Sequence, residues 1–173
     1  MKMPSPPQPS FEEVYRQSFA RLVGQLTLVT GDVESASDAV QEAMYKAWVR
    51  WSKVASYEDP AGWIRRVALN EATSCWRKIR RLIPAGEADP PADSDSLEMA
   101  PETLDLMAAI RRLPIRQRQA LVLFYLADLP IKDVAQEMSV REGTAKSLLS
   151  RGRISLSQLL PETASKGEAD ARA

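Results

Sequence analysis

The side chains that most often carry covalent or metal chemistry are nearly missing from this sequence. It contains no histidine and a single cysteine, Cys75. One thiol cannot build a disulfide framework. With no imidazole to activate it, Cys75 reads as a small core or boundary residue and not as a nucleophile. No cluster of metal ligands and no glycine-rich phosphate loop appears, so the sequence points to no metal, no cofactor and no enzyme. What it does hold, in two stretches, is the chemistry of phosphate and base recognition.

The first stretch is Leu129–Arg153, LPIKDVAQEMSVREGTAKSLLSRGR. Pro130 suits the start of a helix, and Val134, Ala135 and Met138 recur at helical spacing on one inward face. Ala135 is small where two helices must cross closely. The chain turns at Ser139–Val140, and a second helix starts near Arg141, burying Ala145 and Leu149. Its other faces offer Arg141, Thr144, Lys146, Ser147, Arg151 and Arg153 to solvent or phosphate. This is the pattern of a helix-turn-helix, which seats its second helix in the DNA major groove.

The second stretch, Ala61 to about Leu82, has the apolar ridge Ile64, Val67, Ala68, Ala72, Cys75, Trp76 and Ile79. Around it lie Trp63, Arg66, Asn70, Arg77, Lys78 and Arg80. Cations neutralise phosphates, an indole stacks on an unpaired base and an amide pairs with a base edge, which together suit single-stranded DNA. The alternative is that Trp63 and Trp76 are both core. A third set, Asp38, Gln41, Glu42 and Tyr45 with Trp48 at the edge, lies on ridges of the preceding helix. It fits either a docking surface or an ordinary solvated face.

The elements that must position these residues are helical throughout. Ser10 caps a helix from Phe11, with Glu13 near its positive end and Val14, Phe19, Leu22, Val23 and Leu26 as its stripe. Gly31–Asp32 breaks it. A second helix opens around Ser35–Asp38 and runs to about Trp51, burying Ala39, Val40, Ala43, Met44 and Ala47. Asp59–Pro60 forces a turn before the basic helix. Beyond residue 103, Leu104, Met107, Ala108, Ile110 and Leu113 form a helix ending at Pro114. Arg116–Leu126 then packs Ala120, Leu121, Leu123, Phe124 and Leu126 against the helix-turn-helix.

Lysines and arginines balance aspartates and glutamates at 23 each, so net charge says nothing about partners, but its distribution does. Residues 50–81 are basic, Leu82–Asp105 holds no base at all, and bases again outnumber acids from Leu106 to Leu160. The expected fold is all-α. Two small helical domains, 11–82 and 104–160, are joined by a flexible acidic, proline-rich linker, 83–103, and flanked by tails 1–10 and 161–173. The proline-rich N-terminus is not a signal peptide, and no apolar run reaches membrane-spanning length, which together suggest a cytoplasmic chain with no membrane insertion.

Taken in order, GDVESASDAVQEAMYKAW and DPAGWIRRVALNEATSCWRKIRR, then IRRLPIRQRQALVLFYLADLP and VREGTAKSLLSRGR, resemble regions 2 and 4 of the extracytoplasmic-function (ECF) sigma factors. These are compact bacterial transcription initiation factors. The resemblance covers roughly residues 11–82 and 104–160. It implies that the helix bearing Asp38, Gln41, Glu42 and Trp48 binds the β′ clamp helices of core RNA polymerase, and that region 4 meets the β flap. It further implies that Trp63, Arg66, Asn70, Arg77, Lys78 and Arg80 serve the melted −10 element of promoter DNA. Arg141, Thr144, Lys146, Ser147, Arg151 and Arg153 would serve the −35 duplex. The acidic linker would thread a polymerase channel, and an anti-sigma factor would be a regulatory partner. Four positions depart from the family pattern: Ser139 for glycine, Ala145 for valine or isoleucine, Leu148 for arginine and Ser74 for aspartate. A helix-turn-helix regulator acting without polymerase and a sigma-mimicking interaction protein are the alternatives.

Overall fold

A computed structural model describes residues 8–82 and 101–160, and all the regular structure among them is helical. The chain divides into two compact units, Met1–Ala92 and Asp93–Ala173. Residues 83–100 of the expected linker, residues 1–7 and the tail 161–173 lie outside the described residues, whereas residues 101–103, expected to end the linker, instead form the first turn of a helix that Pro101 opens.

In the first unit, α1 (Phe11–Thr30) opens on a reciprocal cap. Ser10 Oγ accepts from the Glu13 N–H at 3.2 Å, and the Glu13 carboxylate accepts from the Ser10 N–H at 2.9 Å. Two amides that no helical carbonyl can reach are satisfied in this way. α1 stops at Gly31, whose φ of 96° is open to glycine at little cost. α2 (Val33–Val49) starts earlier than the Ser35–Asp38 expected from its apolar spacing. The reason is Asp32, whose carboxylate accepts from the Ser35 N–H at 2.7 Å and so fixes the first turn. α2 also ends before Trp51, which begins the single turn α3 (Trp51–Val54). α4 (Pro60–Leu82) follows and packs against α1 and α2.

The core of this unit sits where α1, α2 and α4 meet. Leu22, Leu26 and Val29 from α1, Val40 from α2 and Ile64 from α4 are fully buried. Each contributes roughly 1.5–3 kcal/mol by leaving water. α2 contributes mostly small residues, Ala36, Ala39, Ala43 and Ala47, which lets its neighbours approach closely.

In the second unit, α5 (Pro101–Arg111) and α6 (Ile115–Leu121) are followed by α7 (Ile131–Glu137) and α8 (Glu142–Leu159). The core comprises Ala109, Ile110, Leu113, Ile115, Ala120, Leu121, Val122, Leu123, Val134, Ala135, Met138, Ala145 and Leu149. Leu104 and Ala108, expected on the buried stripe of α5, are exposed instead. Arg118 is buried, with its Nε donating to the Leu113 carbonyl at 2.8 Å just beyond the end of α5. α6 does not stop cleanly. Val122–Leu126 is a π-helical turn, in which the Ala127 N–H donates to the Val122 carbonyl five residues back at 3.0 Å. This overturns the expected inward packing of Leu126, which the wider turn leaves exposed beside Tyr125.

Candidate functional site

On α2 the expected docking residues fall on one side of the helix. Asp38, Gln41, Tyr45 and Trp48 follow one another at three- and four-residue steps, Glu42 stands four residues after Asp38, and all are exposed. The opposite side holds the buried alanines, so packing against α1 and α4 fixes which way the ridge faces. Tyr45 and Trp48 are each 60% exposed, a large apolar area for side chains with no structural need to be outside. Gln41 Nε2 donates to Ser37 Oγ at 3.1 Å. Lys46 lies beside the ridge and ties it to α4, reaching Glu71 at 2.5 Å and Glu42 at 3.3 Å. The Glu71 carboxylate, acting against a small desolvation cost and aided by Glu42, holds the Lys46 ammonium above its ordinary pKa.

Trp48 also borders an open groove with Phe11, Tyr15 and Phe19 of α1. Tyr15 and Phe19 are stacked with ring centroids 4.9 Å apart, and Phe11 meets Trp51 edge-on at 5.3 Å. Sequence reading placed Phe19 in the core stripe and passed over Tyr15. The four-residue spacing of Phe11, Tyr15 and Phe19 was the signal that could have found the ladder.

α4 begins at Pro60, and Asp59 organises its first turn. The Asp59 carboxylate accepts from the Gly62 N–H at 2.8 Å and faces the buried Arg65 guanidinium at 3.9 Å. A Cβ at position 62 would lie 2.3 Å from that carboxylate, so Gly62 makes room for it. Trp63, Arg66, Asn70 and Arg77 occupy one stripe of the helix by position. Trp63 and Arg66 are half-buried, and Asn70 and Lys78 are exposed. Trp63 tilts against Tyr57 at 6.4 Å, neither sealed in the core nor free of it. The side chains of Trp76, Arg77 and Arg80 lie outside the described residues. Cys75 is exposed, which corrects its assignment to the core or its boundary: Ala72 and Thr73 take the inward positions of that turn.

The helix-turn-helix forms as its spacing predicts. Pro130 is the N-cap of α7, one residue outside the helix. The chain reverses at Ser139 with φ of 53°, the left-handed backbone that glycine adopts more cheaply. The Val140 N–H donates to the Ala135 carbonyl at 3.0 Å, and Arg116 Nη2 donates to the Met138 carbonyl at 3.1 Å. Arg116 thus fastens the turn to α6. Ala145, Leu149 and Gly152 seat α8, and Gly152 lies so near Leu121 that a Cβ there would be 3.1 Å from it.

Arg141, Thr144, Lys146 and Arg151 are exposed along α8, and Ser147 and Leu148 are half-buried. Two of the expected DNA-binding cations already have partners. The Arg153 guanidinium lies over the rings of Phe124 and Tyr125, 5.5 and 5.3 Å from their centroids. Lys146 Nζ is 2.7 Å from the Glu142 carboxylate. Lys146, and less strongly Lys132, hold that carboxyl below the usual carboxylate range. Neither Glu142 nor Tyr125 was singled out from the sequence.

No group of three or more His, Cys, Asp and Glu among the described residues could hold a metal, and no helix there is long and apolar enough to cross a membrane.

Both units match known protein families. Residues 13–82 match the Sigma-70 region 2 family model, and residues 103–156 match the Sigma-70 region 4 model. The chain is 32% identical over 160 residues to the ECF RNA polymerase sigma factor RpoE of Cereibacter sphaeroides, covering 87% of this chain and 84% of that protein. It is 28% identical over 156 residues to the ECF RNA polymerase sigma factor SigM of Mycobacterium tuberculosis, covering 87% and 77% respectively. Among solved structures it resembles the sigma factor RpoE of Bartonella quintana, crystallised in complex with the anti-sigma factor NepR. The TM-score is 0.68 at 25% identity, covering 86% of this chain and 95% of that one. With both regions matched in order and a relative this similar over most of its length, the chain belongs to the ECF RNA polymerase sigma factors, a family of non-catalytic transcription initiation factors.

Proposed function

We propose that this chain binds core RNA polymerase in the bacterial cytoplasm and directs it to promoters with −35 and −10 elements. The observation that carries the reading is the α2 ridge. Asp38, Gln41, Glu42 and Trp48, the positions that the family resemblance assigns to polymerase, share one exposed face backed by a tightly packed alanine face. Two exposed indole and phenol rings flanked by carboxylates suit a partner that is apolar and basic, and the β′ clamp helices are the partner the family implies. In the second unit, Tyr125, Leu126 and Ile154 are exposed apolar side chains available to the β flap.

In α4, Trp63, Arg66, Asn70, Arg77, Lys78 and Arg80 serve the −10 element. Extruding a base costs a few kcal/mol of stacking. Trp63, already half out of the core, offers a ring to repay it. In α8, Arg141, Thr144, Lys146, Ser147 and Arg151 face the −35 duplex, and Arg153 reinforces the helix from its aromatic seat. The acidic segment 83–103 follows the polymerase interior. The solved relative's complex with NepR supports an anti-sigma factor as a regulatory partner here too.

The test is transcription in vitro with bacterial core polymerase, the full chain and a fragment library, mapping RNA 5′ ends. Discrete starts sharing two upstream motifs are expected. Tight polymerase binding with no starts would instead make the chain a sigma mimic. Duplex binding without polymerase binding would make it an autonomous regulator.

A further inference from the structure

We infer that Glu142 and Lys146 act together as the reader of a single G·C pair, Glu142 accepting from the cytosine N4 amino group while Lys146 donates to guanine O6 and N7. The inference rests on the reading of α8 as the −35 recognition helix and assigns a specificity residue that this reading does not contain. Glu142 is the first residue of α8, and Lys146 stands one turn further along the same flank. Their charged ends are 2.7 Å apart, with the side chains 47% and 62% exposed. The pair therefore projects from the helix with a donor and an acceptor side by side. Recognition helices contact base edges through their N-terminal residues, where Glu142 stands.

The chemistry of the major groove supplies the match. A G·C pair displays the guanine acceptors N7 and O6 next to the cytosine N4 amino donor, in that order across the groove. An ammonium–carboxylate pair has the complementary order at a similar spacing. An A·T pair instead sets the adenine amino group between two acceptors, N7 and the thymine O4. A carboxylate placed on that amino group would lie against a lone pair on either side, and the ammonium could reach only one acceptor.

A bare carboxylate this near DNA phosphates would be repelled. Here Lys146 on its own helix, and Lys132 on α7, offset the charge of Glu142. Arg141, the exposed N-cap of α8, and Arg151, exposed on it, remain for phosphate. The first turn of α8 and the i,i+4 pair with Lys146 favour an acid at position 142, and its side chain is free to reach a base because the buried face of α8 is filled by Ala145, Leu149 and Gly152.

The experiment uses holoenzyme reconstituted from the full chain and bacterial core polymerase, transcribing a promoter library randomised upstream of a fixed −10 region. The wild type should select a −35 motif containing a strongly preferred G·C pair. Glu142→Ala, which removes the acceptor, should relax that one position by roughly five- to a hundredfold in base preference, leaving the other positions intact. Lys146→Gln should relax the same position. If Glu142→Ala changes transcription from all templates equally and keeps every base preference, Glu142 only screens charge: the inference is overturned while the −35 reading survives. If the wild type selects no upstream motif at all, both fall together.

Discussion

Replacing Ser139 by glycine should stabilise the second unit, and the size of the effect follows from one dihedral angle. Ser139 turns the chain between α7 and α8 with φ of 53°. An L-residue pays about 1–2 kcal/mol for a left-handed backbone, whereas glycine pays almost nothing there. Glycine returns about 0.4–1 kcal/mol of that gain through the greater freedom of its unfolded chain. No other loss is expected. The serine side chain is exposed, and the turn's hydrogen bonds, Ser139 N–H to the Gln136 carbonyl at 3.1 Å and Val140 N–H to the Ala135 carbonyl at 3.0 Å, involve only backbone. The net gain is about 0.5–1 kcal/mol, which for a unit of this size raises the melting temperature by about 2–8 °C.

Trp48, Trp51, Trp63 and Trp76, the four tryptophans of the chain, all lie in the first unit. Tryptophan fluorescence therefore follows that unit alone, while far-UV circular dichroism follows both. Ser139→Gly should raise only the transition that fluorescence does not see. Ser139→Ala, which keeps a Cβ in the same conformation, should bring no gain. An unchanged or lower melting temperature for the glycine variant, or an equal rise for alanine, would refute the argument from φ.

Three further outcomes follow from the first unit. Asp59→Ala removes the acceptor of the Gly62 N–H and the carboxylate facing buried Arg65, and should cost about 1–2 kcal/mol in urea unfolding followed by tryptophan fluorescence; an unchanged midpoint would remove Asp59 from its role. Because Glu71 and Glu42 raise the Lys46 pKa, the stability this lysine contributes is complete below the ordinary lysine pKa and is lost as pH rises through the folded-state value. Lys46→Met should accordingly flatten the alkaline decline of stability, and an identical pH profile would show that the bridge between α2 and α4 contributes nothing. Trp48→Ala should change stability by less than about 0.5 kcal/mol, because the ring is already outside. The same change should weaken core-polymerase binding by roughly tenfold or more, as loss of an aromatic anchor does, and undiminished affinity in a direct binding titration would take Trp48 out of the interface.

Much of this architecture was legible because each signal has a short-range physical cause. Ser10, Gly31 and Pro130 mark helix ends by what their own backbones and side chains can do. The alanine-rich face of α2 announces burial by its period, and the ridge opposite is then exposed by default. Ser139 could be recognised as the turn residue, and as ill suited to it, before any coordinates. What escaped depended on contacts that spacing does not encode. Cys75 continues an apolar period but stands outside because the period drifts over a helix as long as α4. Arg65 and Arg118 are charged residues taken inside by a carboxylate and a carbonyl, respectively, that a hydrophobicity pattern cannot reveal. The partnering of Arg153 with Phe124 and Tyr125 depends on how α8 crosses the end of α6, which is tertiary information.

The π-helical turn at Val122–Leu126 behaves as a single residue inserted into an otherwise ordinary helix. One extra residue shifts the phase of everything after it by about 100°. Before the shift, Leu121, Val122 and Leu123 point into the core; after it, Tyr125 and Leu126 face outward. An aromatic lid for Arg153 and an apolar outer patch thus arise from chain length, with no change in the hydrophobic character of the segment. Substitutions at these positions can change how sticky the patch is, whereas an insertion or deletion would turn the segment and move the patch. Across relatives, gaps at this point, more than substitutions, should therefore separate chains that carry the patch from chains that do not.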